Sequence, residues 1–111
     1  MHPDGPALVW DAMHAAELIR DFTDGKSFGD YREDVMLRSA VERQLGVVGE
    51  ALNRLSRVDP DAASKIPDLA RLVAFRNILV HGYVQVDDNV VWKVVAERFS
   101  VLERVLREVI E

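Results

Sequence analysis

Apolar residues recur every three to four positions along almost the whole chain, a spacing that places them on one face of an α-helix. The clearest example lies between residues 34 and 58, where the stripe consists of Leu37, Val41, Leu45, Val48, Leu52 and Leu55. No segment shows the strict alternation of a half-buried strand. The 111 residues fit one domain, residues 1–111, and we predict that it is all-α.

Capping residues divide the chain into four predicted helices. They cover residues 6–23, 34–58 and 67–81 and a last segment from Asp87 or Asp88 to the C-terminus, with Gly25 and Gly82 as stop signals. Ser27 and Asp30 predict a short extra helical turn at residues 28–31. Short connections favour an antiparallel up-and-down four-helix bundle, preceded by a flexible tail at residues 1–6.

The amino-acid composition limits what the chain can bind and where in the cell we expect it. Fourteen Lys and Arg against nineteen Asp and Glu give a net charge of −5, which disfavours non-specific binding to nucleic acid. Residues 69–86 nevertheless contain no carboxylate, although they contain Arg71, Arg76 and His81. The chain has no cysteine, signal peptide or membrane-length apolar run, so we expect a cytoplasmic protein without a membrane anchor.

Arg76 interrupts the apolar face of the third predicted helix. At about 100° per residue, it lies near the centre of an arc formed by Leu69, Leu72, Val73, Leu79 and Val80. A guanidinium is not buried without a partner, so Arg76 must form an ion pair or face a groove. The simple interpretation is an arginine that reaches solvent or pairs with a glutamate at the edge of the core.

The second predicted helix carries another stripe, which consists of Glu42, Gly46, Gly49 and Asn53. It lies about 110° from the apolar stripe. Each interior glycine costs roughly 0.5–1 kcal/mol relative to alanine, so two on one face indicate that another backbone comes close. That backbone belongs either to the same chain or to a second subunit. Because the stripe is separate from the core face, we expect a dimer contact.

Arg76 and His81 together fit the chemistry of RNA cleavage. A histidine can accept the proton of the ribose 2′-hydroxyl or protonate the departing 5′-oxygen, and an arginine stabilises the charge on the phosphorane. On one straight helix the two side chains diverge by about 140°. They meet if His81 lies at a frayed end beside Gly82, or if a two-fold axis brings two copies together. Asn77 could add a hydrogen bond, and no metal or other cofactor is expected.

The segment FRNILVHGY matches the pattern R-x4-H-x-Y through Arg76, His81 and Tyr83. In this pattern the chain resembles the HepT family of HEPN domains. The resemblance covers roughly residues 7–110 and includes FTDGKSFGDYRED, AVERQLGVVGEALNRL and VDDNVVWKVV.

The resemblance implies a homodimeric endoribonuclease, the toxin of a type II toxin–antitoxin pair that is neutralised by an MNT-type nucleotidyltransferase. Family antitoxins adenylylate the motif tyrosine, which corresponds to Tyr83. Added bulk and negative charge two residues from His81 would repel an RNA phosphate. The family's glutamates on the second helix correspond to Glu42 and Glu50. For Glu42, an ion pair with Arg76 across the dimer and a solvated surface position are both open.

Two other functions are open at this point. A chain with this fold could lack catalytic activity and act only as a binding partner of the nucleotidyltransferase. The roles of toxin and antidote could also be reversed, so that the nucleotidyltransferase is the toxic protein and this chain is its antidote. The intact set of Arg76, His81 and Tyr83 favours the ribonuclease.

Overall fold

The computed structural model describes residues 1–81 and 86–111, and all regular structure in these ranges is helical. The helices are α1 (Gly5–Thr23), α2 (Phe28–Glu33), α3 (Val35–Val58), α4 (Pro60–Ser64), α5 (Leu69–His81) and α6 (Asp88–Ile110). The prediction of an all-α fold is confirmed. No helix in the described part of the chain combines the length and the apolar character that crossing a membrane requires.

Local capping bonds fix several helix boundaries where the sequence predicts them. The hydroxyl of Ser27 accepts from the amide of Asp30 at 3.1 Å, and the carboxylate of Asp30 accepts from the amide of Ser27 at 2.9 Å. Asp34 caps α3, and Asp87 rather than Asp88 caps α6. Gly25 has a φ of 70°, the left-handed conformation expected just beyond the end of α1.

Three boundaries differ from the prediction. Helix α1 begins at Gly5, so residues 5 and 6 do not belong to a tail. Asp59 ends α3 and then caps the unpredicted helix α4 by accepting from the amide of Ala62 at 3.1 Å. Helix α5 begins at Leu69 and not at Pro67, because Asp68 has a φ of 61°. The side chain of Asp68 binds Arg98 of α6 at 2.8 Å, a contact that sequence spacing does not show.

The long helices pack mainly in the order α6, α1, α3, α5. Helix α1 contacts both α3 and α6, whereas α5 makes its main contacts with α3. All six residues of the predicted α3 stripe are buried. The Cα positions extend over 41 × 31 × 17 Å, so the molecule is flat. A closed up-and-down bundle and a dimer stay predictions.

The two glycines of α3 have different surroundings. A methyl group on Gly49 would collide with the side chain of Arg76 and lie 2.7 Å from the carbonyl oxygen of Leu72. Gly49 therefore allows α5 to approach α3 within one chain, which is one of the two packing roles left open by the sequence. A methyl group on Gly46 would have no described neighbour within 4 Å.

We expect alanine to have opposite effects at these two positions. Gly49→Ala should lower the free energy of unfolding by about 1–3 kcal/mol, because α3 and α5 must separate. Gly46→Ala should raise it by about 0.5–1 kcal/mol, because alanine restricts the unfolded chain and favours the helix. Equilibrium urea denaturation measures both values. Equal effects at Gly46 and Gly49 would contradict the asymmetric packing.

Candidate functional site

Arg76 occupies the contact between α3 and α5. Its Nη2 atom lies 2.8 Å from Oε2 of Glu50, and its Nη1 atom donates to Oδ1 of Asn77 at 3.0 Å. The side chain of Arg76 is 29 % exposed. Because Gly49 precedes Glu50, the close helix approach also brings the base of Arg76 beside its partner. Arg76 is thus paired with a glutamate, and its guanidinium is held in place by two neighbours.

A groove of about 410 Å³ lies beside Arg76, so the arginine is both paired and in a groove. Helices α1, α3 and α5 form the groove. Gly46 keeps it open, because no side chain rises from this position. The lining residues are Leu8, Asp11, Arg43, Gly46, Val47, Glu50, Ala51, Arg54, Arg76 and Val80. The groove therefore combines an apolar surface with three guanidinium groups.

His81 is exposed and is the last described residue of α5. It lies five residues after Arg76, which corresponds to about 7.5 Å along the helix and about 140° around it. One chain therefore does not bring the two side chains together. Gly82, the predicted helix stop, and Tyr83, for which the family resemblance implies a modification, lie outside the described residues.

Glu42 and Asn53 do not line the groove. Glu42 is half-buried on α3, and burial together with the negative charge of Asp88 raises the pKa of its carboxyl, although Arg38 opposes this shift. Asn53 is also half-buried, and its backbone carbonyl accepts from the hydroxyl of Ser56 at 2.6 Å. The predicted stripe of Glu42, Gly46, Gly49 and Asn53 thus extends over several different environments, and its contact with a second subunit stays a prediction.

Sequence reasoning missed part of this site. The sequence points to Glu50 only through the family resemblance, which assigns it no partner, and it does not mark Arg43 or Arg54 as site residues. The spacing of Arg43, Glu50 and Arg54 at i, i+7 and i+11 could have shown that they share one face of α3. Over residues 1–81 and 86–111, no group of three or more Asp, Glu or His side chains is arranged to hold a metal ion.

Comparisons with known proteins identify what the chain resembles. The family model described as Ribonuclease HepT-like matches residues 12–109. A Thermococcus cleftensis protein named Probable ribonuclease HepT is 36% identical over 91 residues, which are 78% of each chain. A Methanocaldococcus jannaschii protein named as a candidate RNase is 31% identical over 96 residues, 85% of each chain. No solved structure matches the chain.

The environment of Glu42 predicts a pH-dependent stability. Its carboxyl has a raised pKa in the folded protein, so the folded state is penalised as pH rises through that value and Glu42 ionises. Glu42→Gln removes this penalty and should make the protein more stable than the wild type at pH 7. The difference should fade below about pH 4, where the carboxyl is protonated in both states.

Urea denaturation at pH 7 and pH 4 tests this expectation. Glu97→Gln is the matched control, because Glu97 is exposed on α6 and forms no ion pair with a described residue. A stability gain for Glu42→Gln that is the same at both pH values would contradict the proposed cause.

Proposed function

The chain belongs to the HepT-like ribonuclease family, and from this premise we propose that it is a metal-independent endoribonuclease whose Arg76 and His81 act in a cleft between two subunits. Family membership indicates ribonuclease activity and an RNA substrate. The observation that carries the finer proposal is the position of Arg76. It lies in a groove, held by Glu50 and Asn77, on the helix that also carries His81.

Two features of α5 support a shared site. Arg76 and His81 diverge on one helix, so a second copy is needed to place an arginine and a histidine on the same phosphate. The helix also has apolar side chains that the described residues cover only in part: Leu72 and Phe75 are buried, Val73, Ile78 and Leu79 are half-buried, and Val80 is 61% exposed. A second copy of α5 across a two-fold axis would cover these side chains at the edge of the groove and would leave open the face of α3 that carries Arg43 and Arg54. The proposed assembly is therefore a homodimer.

The chemistry follows from these groups. His81 of one subunit accepts the proton of the ribose 2′-hydroxyl, and the 2′-oxygen attacks the adjacent phosphorus. Arg76 of the other subunit binds the non-bridging oxygens and stabilises the added negative charge of the phosphorane. The bond to the 5′-oxygen then breaks, and the same His81 returns the proton to this leaving group. The products carry a 2′,3′-cyclic phosphate and a 5′-hydroxyl, and DNA is spared because it lacks the nucleophile.

Glu50 has a supporting role in this scheme. Its ion pair restricts the rotamers of Arg76 before RNA binds, so less conformational entropy is lost on binding. Asn77 supports the same guanidinium through its side-chain oxygen. Both residues act through Arg76 and position it.

The proposed cellular role is that of a cytoplasmic toxin of a type II toxin–antitoxin pair. An MNT-type nucleotidyltransferase would neutralise it by adenylylating Tyr83, which lies two residues after His81 in the sequence. The modification would place a negatively charged phosphate near the RNA phosphate, and repulsion would weaken substrate binding.

The shared site predicts a specific pattern of complementation. Wild-type protein should cleave RNA in the presence of EDTA, and Arg76→Ala and His81→Ala should each lower kcat/KM by at least about 100-fold. Mixing the two variants forms heterodimers that each contain one complete site. With half of the dimers mixed, about one quarter of the wild-type activity should return.

Native mass spectrometry confirms whether the subunits have exchanged. Complete exchange without recovered activity would contradict a site shared between subunits. Equal cleavage by wild type and His81→Ala would contradict the enzymatic proposal itself. An inactive wild-type protein whose expression is harmless would instead favour the binding or antidote role.

Adenylylation is tested separately by co-expression with an MNT-type nucleotidyltransferase. Intact-mass measurement should show added adenylyl groups on the wild type and none on Tyr83→Phe. An unchanged modification pattern in Tyr83→Phe would place the modified residue elsewhere.

A further inference from the structure

Arg43 and Arg54 occupy the groove beside Arg76 without a described ion pair of their own. Both are exposed residues of α3, and no carboxylate oxygen of a described residue lies within 4 Å of either guanidinium. Arg76, in contrast, has Glu50 as a partner. Two cations in this groove thus remain available to an anion from outside the chain.

The three arginines lie at successive levels along the axis of α3. Gly49 marks the level of Arg76 on α3, because the two residues are in direct contact. Arg43 comes six residues before Gly49, and Arg54 comes five residues after it. At 1.5 Å per residue these separations are about 9 Å and about 7.5 Å along the helix. Arg43 and Arg54 therefore lie on opposite sides of Arg76.

The local charge of the groove differs in sign from that of the whole chain. Three arginines outnumber the two carboxylates of Asp11 and Glu50, which leaves a surplus of one positive charge. The chain as a whole carries −5. A polyanion is therefore repelled by the average surface and attracted to this groove. The small volume and the open position at Gly46 suit a single strand better than a duplex.

We propose that Arg43 and Arg54 bind the backbone phosphates on either side of the phosphate held by Arg76, so that the groove is a track for single-stranded RNA. This inference rests on the proposed ribonuclease function and extends it to substrate positioning. Arg76 marks the phosphate that is cleaved, whereas the other two arginines hold the strand in register through contacts that do not depend on sequence.

Binding can be measured without cleavage in the His81→Ala background. The probe is a fluorescently labelled single-stranded RNA oligonucleotide, and its affinity is determined by anisotropy at several salt concentrations. Adding Arg43→Gln or Arg54→Gln should weaken binding about three- to tenfold. Each substitution should also reduce the slope of log K against log salt by about 0.7, the value for one phosphate contact of a single strand.

Arg104→Gln is the matched control, because it removes the same charge from an exposed position on α6, away from the groove. It should leave the slope unchanged. Circular dichroism melting shows whether all variants remain folded, as expected for exposed residues. Slopes that are the same for Arg43→Gln, Arg54→Gln and Arg104→Gln would overturn the proposed track.

The assay separates failure of this inference from failure of the proposed function. Cleavage by the wild type and its loss in His81→Ala test the ribonuclease, whereas the salt slopes are obtained without any cleavage. Sedimentation measures the oligomeric mass of each variant. A change of mass with an unchanged salt slope would show that the groove is a protein interface, and would also overturn the proposed track.

Discussion

The site depends on the close contact between α3 and α5 at Gly49. Because Gly49 has no side chain, the base of Arg76 lies directly against α3, and its guanidinium reaches Glu50 one residue further along. A larger residue at this position would separate the helices. It would also move the arginine away from the carboxylate that holds it. Helix packing and the orientation of Arg76 are therefore consequences of the same contact.

Much of the fold could be predicted because its determinants are local. The α3 stripe follows the helical period, and the capping box of Ser27 and Asp30 acts across three residues. The start of α5 could not be predicted in this way. Asp68 adopts a positive φ and binds Arg98, which lies thirty residues away in the sequence. No local pattern contains the information that this partner is present.

The candidate site, too, has one part that the local sequence predicts and one part that depends on contacts between distant residues. Arg76 stood out because a charged residue on an apolar face requires an explanation. Its partner could not be chosen from the sequence alone, because Glu50 becomes distinctive only when α5 lies against α3. The glycine stripe predicts a close approach, and α5 provides it at Gly49 within the chain. At Gly46 the same helix face borders an open groove, and contact with a second subunit there stays a prediction.

The unequal charge distribution has a consequence for substrate selection. A chain with a net charge of −5 gains little from long-range attraction to RNA, so weak non-specific binding over its surface is disfavoured. In the RNA track that we propose, affinity comes from a few close contacts in the groove, where Arg76 is already partly neutralised by Glu50. Such a site favours strands whose phosphates reach several arginines at once. Selectivity for accessible single strands would then arise from shape and charge, without direct reading of the bases.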